Sequence, residues 1–397
     1  RLIFGDNLLA LKALEQEFTG AFKCVYVDPP FNTQQAFEHY DDGLEHSLWL
    51  GLIRDRFEII RRLMSREGSL FVHIDDNELG YLVVLLDEVF GRENRIGIVT
   101  FKQSSASGPK SINPGLVTTN NYILYYARSK AHWSPNRVFV PGLRDDRYNK
   151  IIENPQVGFA RWRLIGLREA FLSANRLATW DEAKQKFADK LESRVTDFVL
   201  ANSERVVRTA RVAPKDVNED ARTALEQSIA DDSRVFCSER TDRDHYYFLP
   251  GEQLIFYRAK TRLIDGQICT AAPLTNLWDD LLSNNLHNEG GVAFPNGKKP
   301  EALIKRCLEL STKAGDLVLD SFAGSGTTGA VAHKMGRKWV MIELGSQCET
   351  LIAPRLRGVI DGTDLSGITK TVGWNGGGGF RYYRLAPSLL QQDRFGQ

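Results

Sequence analysis

Hydrophobic positions along the chain alternate between two rhythms. Residues 2–4 (Leu-Ile-Phe) and 22–27 (Phe-Lys-Cys-Val-Tyr-Val) are short apolar runs with the β-branched and aromatic content of buried strands, and Leu8, Leu11 and Leu14 between them fall at helical spacing. Asp6 and Asn7 stand where an N-cap belongs, which is the favoured role; the alternative is an Asp at a strand end facing a ligand. A longer helix is expected over 48–65, with Leu52, Phe57, Ile60, Leu63 and Met64 apolar and arginines opposite. Ser69–Ile74 predicts a second buried strand with His73 as a core histidine, and Asp75-Asp76-Asn77 opens a helix that ends at Phe90-Gly91. That Asp pair is an N-cap or a carboxylate dyad, capping being favoured. One more strand over 97–101 leads into a small, polar, Gly- and Pro-punctuated loop, after which Tyr122–Tyr126 is again strand-like.

The middle of the chain has a different texture. Thr179-Trp180-Asp181-Glu182 has capping-box spacing and opens a long helical stretch whose buried face is marked by Phe187, Leu191, Val195, Phe198 and Val206. Strand-like pieces at 245–249 and 253–258 close this region. Its aromatic residues, Trp162, Tyr246, Tyr247 and Tyr257 among them, are core or base-stacking groups, and core is favoured for any one of them. Residues 316–344 then run strand, glycine-rich turn, helix, short loop and strand, ending in Glu343; this is the nucleotide-binding half of a doubly wound sheet.

At 397 residues, 42% hydrophobic and 25% charged, the chain can bury a sizeable core and is expected to make two lobes. No stretch approaches the ~18 unbroken apolar residues of a membrane span, and none has the pattern of a signal peptide. Cys24, Cys237, Cys269, Cys307 and Cys348 are scattered, without a CxxC pair or a histidine at ligand spacing, so reduced thiols in a cytosol and no metal site are expected. The chain opens at Arg1 inside what reads as an ordered element, so its natural N-terminus is expected to lie upstream. Net charge is +1, yet residues 101–270 carry 27 Lys and Arg against 21 Asp and Glu, a net +6 that leaves −5 for the rest. A basic middle in an acidic frame is compatible with a nucleic-acid-facing insert.

Two stretches carry the chemistry. Asp28-Pro29-Pro30-Phe31 falls just past a strand's carboxyl end, where ligand chemistry on open α/β sheets is concentrated. The two prolines stiffen the loop and remove two backbone donors, leaving a carboxylate, bare carbonyls and an aromatic face, an inventory for gripping a planar group that bears an NH2. The bland alternative is a Pro-Pro turn with a solvated Asp. In the second stretch, small residues from Ala323 to Gly326 let backbone N–H groups approach a ligand at a helix start, and a carboxylate such as Glu343 at the next strand's end can take both hydroxyls of a ribose. An adenosine-type cofactor is indicated; because residues 324–329 also match GxGxxG, an NAD-dependent oxidoreductase is one alternative function.

DPPF followed by FNT, HIDDNE, LDEVFG and DSFAGSGTTG, in this order, resemble the beta class of amino-methylating DNA methyltransferases, most closely the modification subunits of type III restriction systems. The resemblance covers roughly residues 1–100 and 270–385. It implies an α/β, Rossmann-like S-adenosylmethionine-dependent methyltransferase fold with a mixed, mostly parallel sheet containing one antiparallel strand, plus an inserted, mainly helical target recognition domain. The expected division is 1–102 and 271–397 for the catalytic domain and 103–270 for the DNA-binding insert. It further implies methyl transfer to the N6 amine of a flipped-out adenine in double-stranded DNA, with cytosine-N4 as the alternative target. Asp28, Pro29, Pro30 and Phe31 would form the target-amine site. Asp320, Phe322, Ala323, Gly324, Ser325, Gly326, Thr327 and Thr328 would form the cofactor loop, Glu343 the ribose ligand, Asp6 an adenine contact, and Lys299 part of the cofactor site. S-adenosyl-L-methionine is the implied cofactor, a second copy of the chain and a restriction subunit the implied partners, and the bacterial cytoplasm the implied location.

Overall fold

The computed structural model describes residues 1–32, 45–106, 115–241, 244–281, 286–292, 294 and 298–386. Thr33, the last residue of the FNT segment, lies outside them. In order, the chain forms β1 (Leu2–Phe4), α1 (Asn7–Phe18), β2 (Phe22–Val27), α2 (His46–Leu63), β3 (Met64–Ile74), α3 (Leu79–Phe90), β4 (Arg95–Lys102) and β5 (Asn120–Ala127). The middle gives β6 (Phe139–Pro141), β7 (Lys150–Ile152), β8 (Leu164–Gly166), α4 (Leu167–Asn175), α5 (Trp180–Phe187), α6 (Leu191–Ala201), β9 (Val206–Arg211), α7 (Glu219–Ala230), β10 (Phe236–Ser238), β11 (Tyr246–Phe248), β12 (Glu252–Phe256), β13 (Thr261–Ile264) and β14 (Gln267–Pro273). There follow β15 (Leu277–Trp278), α8 (Glu301–Ser311), β16 (Leu317–Asp320), α9 (Thr327–Lys334), β17 (Lys338–Glu343), α10 (Ala353–Ile360), α11 (Thr369–Val372) and β18 (Tyr382–Arg384).

The chain divides into two compact units, Arg1–Val138 with Thr275–Gln397, and Phe139–Leu274. In the first, nine strands make one sheet in the order β15-β4-β5-β3-β2-β16-β17-β1-β18, and among them β5 alone runs antiparallel to its neighbours. Parallel strands must be covered on both faces, and β2 and β3 are: Val25, Val27, Leu70, Val72 and Ile74 face one side, Cys24, Tyr26 and Phe71 the other, all buried. On the first side α1, α2 and α3 supply Leu11, Leu14, Ile53, Phe57, Ile60, Leu63, Leu82, Leu86 and Phe90. Each such buried side chain contributes roughly 1.5–3 kcal/mol, as an upper bound. From β2 the chain winds outward to β3, and from β16 outward to β17, so the winding reverses between β2 and β16, which pair in parallel with Cys24 opposite Val318.

Several expectations are corrected. Helix α2 stops at Leu63 because Met64 is already extended (ψ 139°) and starts β3. Asp75 does not cap α3; its carboxylate closes a local turn onto the backbone N–H of Asn77 (3.1 Å), and Glu78 occupies the cap position. Thr179 caps α5 as its spacing indicates, accepting from Glu182 N–H at 3.2 Å, but the long helix breaks at Ala188 (φ 44°) and Val206 belongs to β9.

The second unit begins at Phe139 rather than 103, because β5 is an interior strand of the large sheet. It holds a six-stranded sheet, β10-β11-β12-β9-β7-β8, and a three-stranded one, β13-β14-β6, so it carries far more strand than a mainly helical insert. Its main core sets Leu167, Phe171, Val195 and Val199 of α4 and α6 against Ile151, Val206 and Tyr257, which makes Tyr257 a core residue.

The two ends of this unit are cross-strand partners, with Phe139 opposite Pro273 and Pro141 opposite Ala271. Paired residues lie only ~5 Å apart. Replacing Phe139–Leu274 by a short Gly-Ser linker should therefore leave a remainder that melts in one cooperative transition by circular dichroism; a broad, non-cooperative melt would mean that the first unit cannot fold alone.

Candidate functional site

Asp28 follows β2, Asp320 ends β16, Glu343 ends β17 and Gly5-Asp6 follows β1, so four neighbouring parallel strands present their carboxyl ends together. In open α/β sheets this edge, at the winding reversal, is where ligands sit.

The Asp28–Phe31 loop is held from three sides. The Trp49 indole N–H donates to the Pro30 carbonyl (2.9 Å), the Asn32 side-chain amide donates to the Glu78 carboxylate (2.9 Å), and Asn32 itself takes the left-handed conformation (φ 57°). Phe31 stacks on the His73 ring with centroids 5.8 Å apart and planes 12° from parallel. His73 is fully buried, as a core histidine should be. Asn121 donates to its Nε2 (3.1 Å), which leaves the Nδ1 proton for the Tyr26 hydroxyl (3.2 Å). Burial, reinforced by the Lys299 charge, holds its pKa far below the usual range and keeps it neutral.

Lys299, expected in the cofactor site, contacts the Asp28 loop. Its ammonium donates to Asp28 Oδ2 at 2.6 Å and lies 5.2 Å from the centre of the Phe31 ring. The other carboxylate oxygen, Asp28 Oδ1, is buried and accepts no hydrogen bond among the described residues. Burial pushes the Asp28 pKa up, and Lys299 works against that shift. A buried acceptor without a donor costs about 1–3 kcal/mol, so its survival in a well-packed loop points to use.

The glycine-rich turn is shaped by its own side chains. Asp320 accepts from Phe322 N–H (3.0 Å) and from the Thr328 hydroxyl (2.5 Å); the Ser325 and Thr327 hydroxyls pair at 3.1 Å. Gly326 N–H closes onto the Ala323 carbonyl (2.7 Å), with Gly324 at φ 52° and Gly326 at φ 75°, where a Cβ would stand 2.7 Å from Ile352. Glu343 accepts from Gly324 N–H (2.7 Å), Gly345 N–H (2.9 Å) and the Gln347 amide (2.9 Å), so in this structure its carboxylate braces the turn. Asp6 is the N-cap of α1, accepting from Leu9 N–H at 3.0 Å, and the adjacent Asn7 donates to the Ser321 carbonyl at 2.8 Å. Pattern reading missed Asn32, Glu78 and Trp49 as supports of the Asp28 loop; the one local hint was Asn32, directly behind the tetrapeptide.

A family model described as DNA methylase, of the N6 and N4 methyltransferases, matches residues 22–353. The chain belongs to this DNA methylase family. It is 34% identical over 420 residues to the Haemophilus influenzae protein named "Probable type III restriction-modification enzyme HindVI Mod subunit", covering 97% of this chain and 54% of that one. It is 23% identical to the Escherichia coli type III restriction-modification enzyme EcoP15I Mod subunit, covering 99% and 66%. The chain thus spans half to two thirds of the length of these relatives. Among solved structures, the Thermus thermophilus protein TTHA0409, complexed with S-adenosyl-L-methionine, is 14% identical with a TM-score of 0.43, covering 98% of this chain and 99% of that one.

In this DNA methylase Asp320 is a pH-sensitive group. Burial first, then the charges of Asp28 and Glu343, raise its pKa from 3.8 to about 7, against the hydrogen bonds from Thr328 and Phe322. The folded state therefore keeps a proton that the unfolded chain gives up, a stabilising contribution fully present below pH 3.8 and lost as pH rises through about 7. Asp320→Asn should flatten the decline of the thermal midpoint across that window. Equal slopes for parent and variant would show that Asp320 ionises in the fold as freely as in the open chain.

Proposed function

We propose that this DNA methylase transfers the methyl group of S-adenosyl-L-methionine to the N6 amine of an adenine swung out of double-stranded DNA. The observation that carries the proposal is Asp28 Oδ1, a buried acceptor without a donor among the described residues, on a stiff loop with an aromatic face. The turn at Gly324–Gly326 fits the cofactor: its positive φ values set bare glycine backbone at the carboxyl edge of the sheet, one strand away from Asp28. Bound there, S-adenosylmethionine supplies an electrophilic sulfonium methyl.

An exocyclic adenine amine is a weak nucleophile because its lone pair is delocalised into the ring. Asp28 Oδ1 and the Pro29 carbonyl accept its two hydrogens and favour a pyramidal nitrogen with its lone pair free to attack. The Lys299 ammonium opposes the upward push of burial on Asp28 and favours its charged form, which faces the nitrogen as positive charge develops on it, and Asp28 is the neighbouring group able to take the departing proton. Phe31, braced by His73 beneath, stacks on the flipped base. Fixed geometry converts a bimolecular displacement into an effectively unimolecular one. Adenine is favoured over cytosine-N4 because the motif opens with Asp and because the relatives named above are type III Mod subunits. Phe139–Leu274 is the unit assigned to DNA recognition; a second copy of the chain, a restriction subunit and a bacterial cytoplasm follow from the same likeness.

Asp28→Ala should lower single-turnover methylation of mixed genomic DNA by roughly two to three orders of magnitude, as when an oxyanion-hole donor is deleted, with affinity for DNA and S-adenosylmethionine kept within several fold. Asp28→Asn, which retains an acceptor but not its charge, should fall between. Near-parental rates for both would remove Asp28 from the mechanism, and mapping the methylated base separates adenine-N6 from cytosine-N4. Gly324→Val, a β-branched residue at φ 52°, should abolish calorimetric binding of S-adenosylmethionine while leaving the far-ultraviolet spectrum unchanged; parental affinity would refute the loop assignment.

A further inference from the structure

Beneath the glycine-rich turn lies a group of four charges. The side chains of Glu301, Lys334 and Arg355 are fully buried and that of Asp364 is nearly so. Lys334 Nζ lies 2.8 Å from Glu301 and 2.7 Å from Asp364, and Arg355 Nη2 lies 2.9 Å from Glu301, so two cations balance two anions. Removing such charges from water is costly, and apolar side chains of similar volume often serve stability as well. The second arm of Arg355 indicates what the group does. Its Nη1 donates to the Ser325 carbonyl (3.1 Å) and the Thr327 hydroxyl (2.9 Å), clamping the turn on both sides of Gly326.

The backbone around Arg355 is shaped to allow this. A single π turn, Cys348–Ile352, precedes α10 and brings Ile352 against Gly326, three residues before Arg355. Such turns recur at functional sites. Gly290, at φ 72°, leaves the space that the guanidinium fills, since a Cβ there would overlap Arg355 Nε. On the far side Glu301 is separated from Lys299 only by Pro300, the N-cap of α8 with φ −61°, and Lys299 holds Asp28. Direct contacts therefore run from Ser325 and Thr327 through Arg355 to Glu301, and from there two residues of chain lead to Lys299 and Asp28.

Building on the methyl-transfer function above, we propose that Arg355 is a positioning residue that fixes the cofactor turn and, through Glu301 and Pro300, couples it to the Lys299–Asp28 pair. Cofactor binding and presentation of the target-amine acceptor are then linked. Arg355→Lys keeps the charge beside Glu301 but loses the fork that reaches both loop acceptors. In cofactor-free protein, amide hydrogen exchange across 323–328 should quicken about tenfold, the effect of losing one charge-assisted hydrogen bond, while the global melting transition stays cooperative. Calorimetric affinity for S-adenosylmethionine should fall by a similar factor. In a cycle of Arg355→Lys, Lys299→Met and the double variant, the effects on that affinity should be non-additive by several fold. Should Arg355→Lys fail to fold, Thr327→Val, which deletes one acceptor and keeps every ion pair, should show the same changes at smaller size. Unchanged loop exchange would overturn the positioning role, and additive affinities would overturn the coupling. A parent that does not bind S-adenosylmethionine would instead overturn the methyl-transfer function, with the exchange contrast still deciding the role of Arg355.

Discussion

Everything at the site depends on β2 lying beside β16. That parallel pairing, Cys24 to Val318 and Leu319 to Val25, sets Asp28 and Asp320 at the ends of adjacent strands, two buried carboxylates in one neighbourhood. Like charges so placed cannot both ionise freely, and the protein separates their fates. Asp28 has the Lys299 ammonium at 2.6 Å; among the described residues Asp320 has only the neutral donors Phe322 N–H and the Thr328 hydroxyl, and burial pushes its pKa up to about 7. Different partners give the two carboxylates different work. Asp28 has an ammonium on one oxygen and an open acceptor on the other, while Asp320 binds Phe322 N–H and the Thr328 hydroxyl and shapes the neighbouring turn.

A similar division governs the rest of the edge. Side chains with polar groups are committed to geometry: Glu343 braces Gly324, Thr328 ties to Asp320, Asn7 holds the Ser321 carbonyl. What is left for a ligand is mainly backbone, stiffened by prolines in one loop and exposed by glycines in the other. Backbone surfaces of this kind tolerate little change, because the relevant variable is a φ angle or the absence of a Cβ.

Those two loops were legible in the sequence for that reason. Pro29-Pro30 after a β-branched run and glycines at a strand-to-helix turn constrain the chain locally, whatever surrounds them. Helices α1 and α2 were legible from their 3.6-residue spacing, as was His73 from its place inside an apolar run. The contact of Lys299 with Asp28 was not legible because it spans 271 residues, and no local pattern encodes that. Arg355 and Lys334 were passed over because a charged residue in a helix ordinarily faces water, and only the packed structure shows their side chains fully buried. Of the strands of Phe139–Leu274, β11 and β12 were read as the strand-like pieces at 245–249 and 253–258, while β6, β7, β8 and β10 escaped because they are three residues long, shorter than any alternation can register.

The β2–β16 contact also sets a timetable for synthesis. Chains emerge N-terminus first, at ~5–20 residues per second, so β16 follows β2 by roughly 15–60 s across about 290 residues. During that interval β2 can pair with β3 on one side while its other edge, Val25 and Cys24 included, has no strand to meet. Asp28 likewise waits for Lys299 before its burial can be compensated. The nascent chain thus carries an open, apolar strand edge through the whole translation of Phe139–Leu274. Slow or stalled translation there would lengthen its exposure to edge-to-edge association, and a chaperone that covers β2 would be most useful in that window.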